Sequence, residues 1–316
     1  MKYYIGVDIG GMSIKAGVVD ETGKILSKKT CVTRVSDTPN PIVEDIYNLC
    51  LDVISLAKLE KKDILGVGIG TPGTVNSKIG VITFAANLNF KKVNICKLFK
   101  KYWNIPVCVN NDANCAALGE VKFGSNKNIQ NAVFVTLGTG VGTGFIIDGK
   151  IFEGVNGAGA EGGHICIRMN GVKCSCGQRG CWEAYASATA LIRETKEAME
   201  KHPESLMNKM VNEGAKIDGR LAFEARKQGD KVATAVVRNY VKYIGVGIVN
   251  YVNVFRPEIV LIGGGVSNEG EYFIKLIEKY VALHSFGKKV NKIPIIAKAE
   301  LGNDAGLVGA AAPLMD

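Results

Sequence analysis

The two halves of the chain carry the same short pattern of apolar segments separated by glycine turns. In the first half this pattern predicts three strands, at residues 3–9, 14–20 and 24–30. It returns 128 positions later, where Val135-Thr136-Leu137-Gly138 corresponds to Val7-Asp8-Ile9-Gly10. Because a repeated supersecondary unit implies a repeated structure, we predict two structurally related halves that face each other.

The remaining sequence alternates between helix and strand patterns. Helices are predicted near residues 40–60, 94–103, 187–201, 230–254 and 270–283, and two more begin at Asp112 and Asp304. Further strands are predicted at 64–71, 106–110, 133–137, 258–266 and 293–298. This alternation is typical of an α/β fold. Since no low-complexity linker is present, we expect a tight boundary near residue 120. It would separate a domain of residues 1–120, joined by the last helix at 302–316, from a larger domain of residues 121–301.

Composition excludes several classes of protein. The net charge is +9, but the lysines are scattered, whereas a nucleic-acid site would concentrate basic residues on one face among aromatic ones. No apolar run reaches the ~18 residues of a spanning helix, and no secretory signal is evident. An odd number of cysteines, nine, is typical of a reducing compartment. We therefore expect a cytoplasmic protein that binds neither nucleic acid nor membrane.

Three glycine-rich segments follow predicted strands. In Asp8-Ile9-Gly10-Gly11, backbone N–H groups could converge on a phosphate oxygen, and the carboxylate before them could hold a phosphate-bound Mg²⁺ through water. The segment 137–144 offers the same chemistry, and Gly263-Gly264-Gly265 precedes a helix and could lie against adenosine. One such hairpin alone would indicate only a β-turn, but the three together favour a nucleotide site.

Four soft metal ligands lie close together in the second half. His164, Cys174, Cys176 and Cys181 form the pattern H-x9-C-x-C-x4-C within a glycine-rich segment. Four such ligands fit a closed tetrahedral Zn²⁺ site of the Cys₃His type. Because no coordination position would remain for water, the pattern predicts a structural rather than a catalytic metal. The alternative is a chance cluster in a cysteine-rich chain.

Three carboxylates are candidates for chemistry on a hydroxyl group. Asp112 stands at a predicted strand end directly before a helix, where it could be an N-cap or an ionised, oriented base. Glu161 lies three residues before His164, and Glu183 lies two after Cys181. These two could bind sugar hydroxyls, or they could be ordinary surface residues.

These motifs resemble the ROK family (repressor, open reading frame, kinase), whose members have the actin-like or hexokinase-type ATPase fold. The resemblance spans essentially the whole chain. Asp8-Ile9-Gly10-Gly11 is similar to the family's first phosphate loop, and Leu137 to Gly142 is similar to the second. The stretch from Glu161 to Glu183 is similar to its zinc and sugar-binding signature, with residues 181–187 typical of the bacterial glucokinase branch. The resemblance implies two α/β domains around a cleft.

The resemblance also implies a role for each matching residue. Asp112 would be the general base in direct transfer from ATP to the 6-hydroxyl of a hexose, glucose above all. Sugar hydroxyls would be contacted by Asn87, Asn111, Asp112, Glu161, His164 and Glu183. ATP and Mg²⁺ would be bound by Asp8, Gly10, Gly11, Ser13, Lys15, Gly138, Thr139, Gly140, Gly264 and Gly265. Zn²⁺ would be held by His164, Cys174, Cys176 and Cys181, and a homo-oligomer, dimer or tetramer, is expected.

One departure and several alternatives accompany this interpretation. Met12 occupies the position of a family threonine, so a phosphate-binding hydroxyl is missing unless Ser13 replaces it. Fructose, mannose or an N-acylhexosamine could be the substrate in place of glucose. The family's repressors carry an N-terminal helix-turn-helix domain, whereas here the first phosphate strand begins by Tyr3. A sugar-sensing regulator without a DNA-binding domain is the remaining alternative, since Asp8 and Asp112 argue against a purely binding module.

Overall fold

A computed structural model describes residues 1–126 and 128–315 of the chain. The strands are β1 (Tyr3–Ile9), β2 (Ser13–Asp20), β3 (Ile25–Val32), β4 (Ile64–Thr71), β5 (Thr74–Asn76), β6 (Val81–Ala85), β7 (Phe90–Val93), β8 (Val107–Asn111), β9 (Ala132–Leu137), β10 (Val141–Ile147), β11 (Lys150–Ile151), β12 (Ile259–Gly263) and β13 (Ile295–Lys298). The helices are α1 (Asn40–Leu56), α2 (Ile95–Phe99), α3 (Asp112–Phe123), α4 (Glu183–Ala186), α5 (Ala188–Lys201), α6 (Leu206–Asn212), α7 (Leu221–Lys227), α8 (Lys231–Phe255), α9 (Glu271–His284) and α10 (Ala305–Ala311). Short 3₁₀ helices connect several of them.

The strands form two five-stranded sheets and one small sheet. The first sheet has the order β3-β2-β1-β4-β8, the second has the order β11-β10-β9-β12-β13, and β5-β6-β7 form the small sheet. In the first sheet β1 pairs antiparallel with β2 and parallel with β4, and β4 pairs parallel with β8. The predicted α/β alternation is confirmed, whereas the strands β5 to β7 and the helices α4, α6 and α7 were not predicted.

The alternation of side chains along β1 explains how helices cover both faces of the first sheet. Ile5, Val7 and Ile9 are fully buried in a cluster that includes apolar residues of α1. Tyr4 points to the opposite face, because successive strand residues do so, and it packs with Leu307 and other residues of α10. Helix α10 also contacts α3, β4 and β2. The first sheet is therefore sandwiched between α1 and the pair α3 and α10.

Helix α10 approaches the sheet so closely that only glycine fits beneath it. A Cβ atom added to Gly68 would lie 1.8 Å from the carbonyl oxygen of Ala310, and one added to Gly6 would lie 1.9 Å from that of Leu307. We expect Gly68→Ala to lower the free energy of unfolding by at least about 1–3 kcal/mol, the usual cost of overpacking. Chemical denaturation measures this loss. Gly219→Ala is the control, since its Cβ would meet nothing within 4 Å, and equal denaturation midpoints for the two variants would contradict the prediction.

Contacts between Cα atoms divide the chain into two compact units. The first unit contains Met1–Phe134, Gly144–Ala160 and Glu300–Asp316, and the second unit contains Val135–Thr143 and Glu161–Ala299. The domain boundary near residue 120 stays a prediction.

The longest helix of the second unit is α8. Asp230 caps its N-terminus, where Asp230 Oδ1 accepts a hydrogen bond of 2.7 Å from the N–H of Ala233. Among the described residues, α8 is the one helix long and apolar enough to cross a membrane by length and composition. A core helix of a globular domain also satisfies these criteria of length and composition. Helix α8 packs against α4, α5, α7 and α9. Helix α8 is therefore the central packing element of its unit.

Candidate functional site

The carboxyl ends of β1, β4 and β8 meet at one edge of the first sheet. Asp8 of β1 pairs with Gly70 of β4, and Gly70 in turn pairs with Asn110 of β8. In parallel arrangements of this kind, ligands bind at the carboxyl edge of the sheet. The fold therefore brings the first glycine loop and the Asn110-Asn111-Asp112 segment, which are far apart in sequence, to the same edge.

Helix α3 begins at this edge, and its capping residue is Asn111. Asn111 Oδ1 accepts hydrogen bonds from the N–H groups of Ala113 (2.9 Å) and Asn114 (3.2 Å). The suggestion that Asp112 is the N-cap is therefore wrong, because Asp112 is the first residue inside the helix. Its Oδ1 accepts from the N–H of Ala113 at 2.8 Å. A carboxylate at a helix N-terminus is stabilised in its ionised form, as a general base requires.

Asn110 belongs to a network of side-chain hydrogen bonds that the sequence did not predict. The amide nitrogen of Asn110 donates to Glu153 Oε1, and Ser77 Oγ donates to Glu153 Oε2 at 2.6 Å. Asn110 Oδ1 accepts from the N–H of Asn111 at 2.7 Å and from Nδ2 of Asn114 at 3.2 Å. Glu153 lies 43 residues from Asn110, so no spacing rule could have indicated the pairing.

The first glycine loop connects β1 and β2. The N–H of Gly10 donates to the carbonyl of Ser13 at 2.8 Å, which closes the turn. Thr33, which directly follows β3, donates from Oγ1 to the carbonyl of Gly10 at 2.7 Å and so stabilises the loop. Met12 lies in the loop and is 87% exposed. A Cβ atom on Gly11 would lie 3.4 Å from Cβ of Asn87, which places that predicted sugar ligand directly beside the loop.

Two charged residues flank the first loop. Burial raises the pKa of the Asp8 carboxyl, and the positive charge of Lys15 partly opposes this effect. Lys15 Nζ donates to the carbonyl of Asn303 and lies 3.6 Å from Asp304 Oδ1. The lysine therefore pairs with the segment that precedes α10, and its predicted contact with phosphate stays a prediction.

The second and third glycine segments lie together in the second unit. Gly264 has a φ of +82°, and a Cβ atom there would lie 2.5 Å from the carbonyl oxygen of Leu137. The carbonyl of Gly138 accepts from the N–H of Ala188 at 2.8 Å, and that of Thr139 accepts from Thr189 Oγ1 at 2.8 Å. These contacts anchor the loop after β9 on the start of α5. The fold therefore brings the second and third glycine segments next to each other, and their binding of a nucleotide stays a prediction.

His164 and the three clustered cysteines converge on one point. The ligand atoms of His164, Cys174, Cys176 and Cys181 all lie within 4.8 Å of one another. Nδ1 of His164 is 3.6 Å from Sγ of Cys174, and the sulfur atoms of Cys176 and Cys181 are also 3.6 Å apart. A tetrahedral site with Zn–S bonds of about 2.3 Å has ligand–ligand edges of about 3.8 Å. The spacing of these four groups thus fits such a metal.

The two glutamates beside the cluster differ in their surroundings. Burial raises the pKa of Glu161, and the next residue, Gly162, is anchored by Thr143 Oγ1 (2.9 Å) and by the hydroxyl of Tyr251 (2.6 Å). Glu183 Oε2 accepts from the N–H of Val141 at 3.0 Å. Its other oxygen, Oε1, lies 3.7 Å from Sγ of Cys174. Glu183 therefore links the second glycine loop to the cysteine cluster.

Comparison with known proteins adds a family and several relatives. The model of the ROK family matches residues 4–316. A glucokinase from Streptomyces coelicolor is 38% identical over 310 residues, covering 97% of this chain and 96% of the relative, and a glucokinase from Thermotoga maritima is 36% identical over 308 residues, covering 97% and 95%. A crystal structure of a ROK family glucokinase from Streptomyces griseus, in complex with glucose and AMPPNP, superimposes with a TM-score of 0.81 at 38% identity and covers 98% of both chains.

Proposed function

The chain belongs to the ROK family, and from this premise we propose that it transfers the γ-phosphoryl group of ATP to the 6-hydroxyl of glucose. The observation that carries the proposal is the full-length similarity to glucokinases, one of which was solved with glucose and an ATP analogue. The position of the first glycine loop and of Asp112 at one edge of the first sheet supports it independently. The product is glucose 6-phosphate, and the enzyme is an ATP-dependent hexose phosphotransferase.

Asp112 is the residue to which we assign general-base catalysis. The attacking hydroxyl must lose a proton as it forms a bond to the γ-phosphorus, and a positioned carboxylate can accept that proton. Asp112 suits this role because it sits at the carboxyl edge of the first sheet and at the start of α3. The N–H of Ala113 fixes one of its oxygens.

Positioning and electrostatics account for most of the remaining catalysis in phosphoryl transfer. The N–H groups of Gly10 and Gly138 close the two turns by donating to the carbonyls of Ser13 and Gly140. We therefore assign phosphate contacts to the other N–H groups of these loops, those of Gly11, Thr139 and Gly140. Ser13, the residue after Met12, is assigned the hydroxyl contact that Met12 cannot make. Asp8, a half-buried carboxylate beside the first loop, is assigned to the hydrated Mg²⁺ that accompanies ATP. Lys15 completes this group, and Gly264 and Gly265 are assigned to adenosine.

A Zn²⁺ ion is proposed for His164, Cys174, Cys176 and Cys181. The close approach of three thiols and an imidazole supports this assignment, because cysteines bind the metal as thiolates, whose mutual repulsion a cation would relieve. The N–H of Gln178 donates to Cys176 and lowers the pKa of that thiol. The metal would order the glycine-rich segment between the ligands, which has few apolar residues of its own.

Sugar hydroxyls are assigned to Asn87, Asn111, Glu161, His164 and Glu183, together with Asp112. Asn111 donates one amide hydrogen to the carbonyl of Gly73 at 3.1 Å, and an amide group has a second hydrogen to offer a ligand. A cytoplasmic location, a homo-oligomeric state and the absence of nucleic-acid and membrane partners stay predictions.

A panel of sugars tests the proposed substrate. We expect glucose to give the highest kcat/KM, mannose to follow and fructose to be poor, as the glucokinase-like segment 181–187 indicates. ADP release measured across hexoses and N-acylhexosamines gives the order. The proposal fails for glucose if an N-acylhexosamine exceeds it by about tenfold or more in kcat/KM, a ratio that contacts to one polar group can produce.

A further inference from the structure

We propose that Glu153 is a positioning residue that sets the geometry of the strand end carrying Asp112. It follows β11 in the chain and belongs to the same compact unit as Ser77, Asn110 and Asp112. One carboxylate oxygen binds the amide nitrogen of Asn110, and the other binds the hydroxyl of Ser77. The inference rests on the proposed function, because it assigns Glu153 a role through Asp112.

Glu153 acts through the orientation of the Asn110 side chain. Asn110 is 8% exposed, and its Oδ1 accepts from the N–H of Asn111 and from Nδ2 of Asn114. Since the amide is planar, an acceptor that fixes the nitrogen also fixes the oxygen. The carboxylate of Glu153 is that acceptor. Without it, a buried donor would be left without a partner, and the segment leading into α3 would relax to find one.

The segment that follows Glu153 approaches β5 closely at Gly157. A Cβ atom on Gly157 would lie 1.6 Å from the carbonyl oxygen of Val75, so the segment after Glu153 lies directly against β5. Ser77 follows β5 and holds the second oxygen of Glu153. Glu153 therefore joins Asn110 to the segment around β5, as a residue that supports a catalytic group should.

Two substitutions distinguish the effect of the side-chain length of Glu153 from the effect of its charge. Glu153→Gln loses the charge but keeps the length: its Oε1 can still accept from Asn110, and its amide can donate to the Ser77 hydroxyl. Glu153→Asp keeps the charge, but it is one methylene shorter and cannot span both partners. We expect kcat of Glu153→Gln within about threefold of the wild-type value. For Glu153→Asp we expect a fall in kcat of about 10- to 100-fold, the scale of a small misplacement of a catalytic group, with the KM for ATP nearly unchanged.

Asp20→Glu is the matched control for a change in the length of a carboxylate. Asp20 is 4% exposed in the same unit and accepts from the N–H groups of Thr22 and Lys24 in the β2–β3 turn. The Asp20→Glu substitution should lower the melting temperature of the protein and leave kcat unchanged. If kcat fell more in Glu153→Gln than in Glu153→Asp, the charge of Glu153 rather than its length would determine turnover. If kcat were unchanged in Glu153→Asp, Glu153 would have no positioning role. Either result overturns the proposal.

Two further measurements test the positioning role, and the second of them needs no substrate. Adding Glu153→Asp to Asn110→Ala should lower kcat no further than Asn110→Ala alone, because the two residues act as one unit. Hydrogen exchange of the peptide covering residues 107–115 should be faster in Glu153→Asp than in Glu153→Gln or the wild type. Unaltered exchange contradicts the positioning role, whereas a wild-type protein that does not phosphorylate glucose contradicts only the proposed function.

Discussion

The Asp112→Asn variant is expected to lose a factor of roughly 10²–10⁴ in kcat, the usual scale when a general base is removed, while it binds sugar and ATP nearly as the wild type does. Asparagine keeps the oxygen that accepts from the N–H of Ala113, so the start of α3 should keep its geometry. It cannot accept the hydroxyl proton, and the transferring step is therefore the one that slows. Single-turnover kinetics with ATP and glucose measure that step separately from product release.

Asp230→Asn is the matched control for this prediction. Asp230 is also a carboxylate at a helix N-terminus, where it caps α8, and the same substitution there removes the same charge. Its kcat should equal the wild-type value. Near-normal turnover in Asp112→Asn would mean that another group accepts the proton, and Asp112 would then be only a binding residue.

The second large effect is expected for Cys176→Ser. Removing one of the four ligands should release most of the metal, because a serine hydroxyl is a poor substitute for a thiolate. The segment that carries His164, Glu161 and Glu183 would then lose its order, so the KM for the sugar should rise by about tenfold or more or activity should vanish. The KM for ATP should change little. Elemental analysis of the purified protein and substrate titrations measure these effects.

Cys166→Ser provides the control for the loss of a nearby thiol. Cys166 is exposed, and its sulfur lies 3.7 Å from the carbonyl of Arg179, but it is not one of the four convergent ligands. This variant should keep its zinc and its sugar KM. If the native protein contains no zinc and is fully active, the metal assignment is wrong and the cysteines serve only as small packed side chains.

Local patterns in the sequence determined much of the fold and the family. Strand alternation and glycine turns predicted β1 to β3, and apolar spacing predicted α1, α5 and α8, because these signals lie within a few residues of one another. The actin-like α/β fold and ROK membership inferred from the loop motifs are confirmed by the match over residues 4–316 and by the similarity to solved ROK structures. The convergence of His164 with the three cysteines followed from their spacing as well.

Other features were decided only by tertiary contacts. Asn111 rather than Asp112 caps α3. The sequence could not distinguish these adjacent candidates, because both residue types are good caps. The bond between Glu153 and Asn110 and the approach of Gly264 to Leu137 each join segments far apart in the chain. The short strands β5 to β7 were missed for a similar reason, since each has only three to five residues and depends on its neighbours for pairing. Periodicity in the sequence indicates only the local secondary structure, because it depends on residues that are close in the chain. A hydrogen bond between distant segments forms only when the chain has folded.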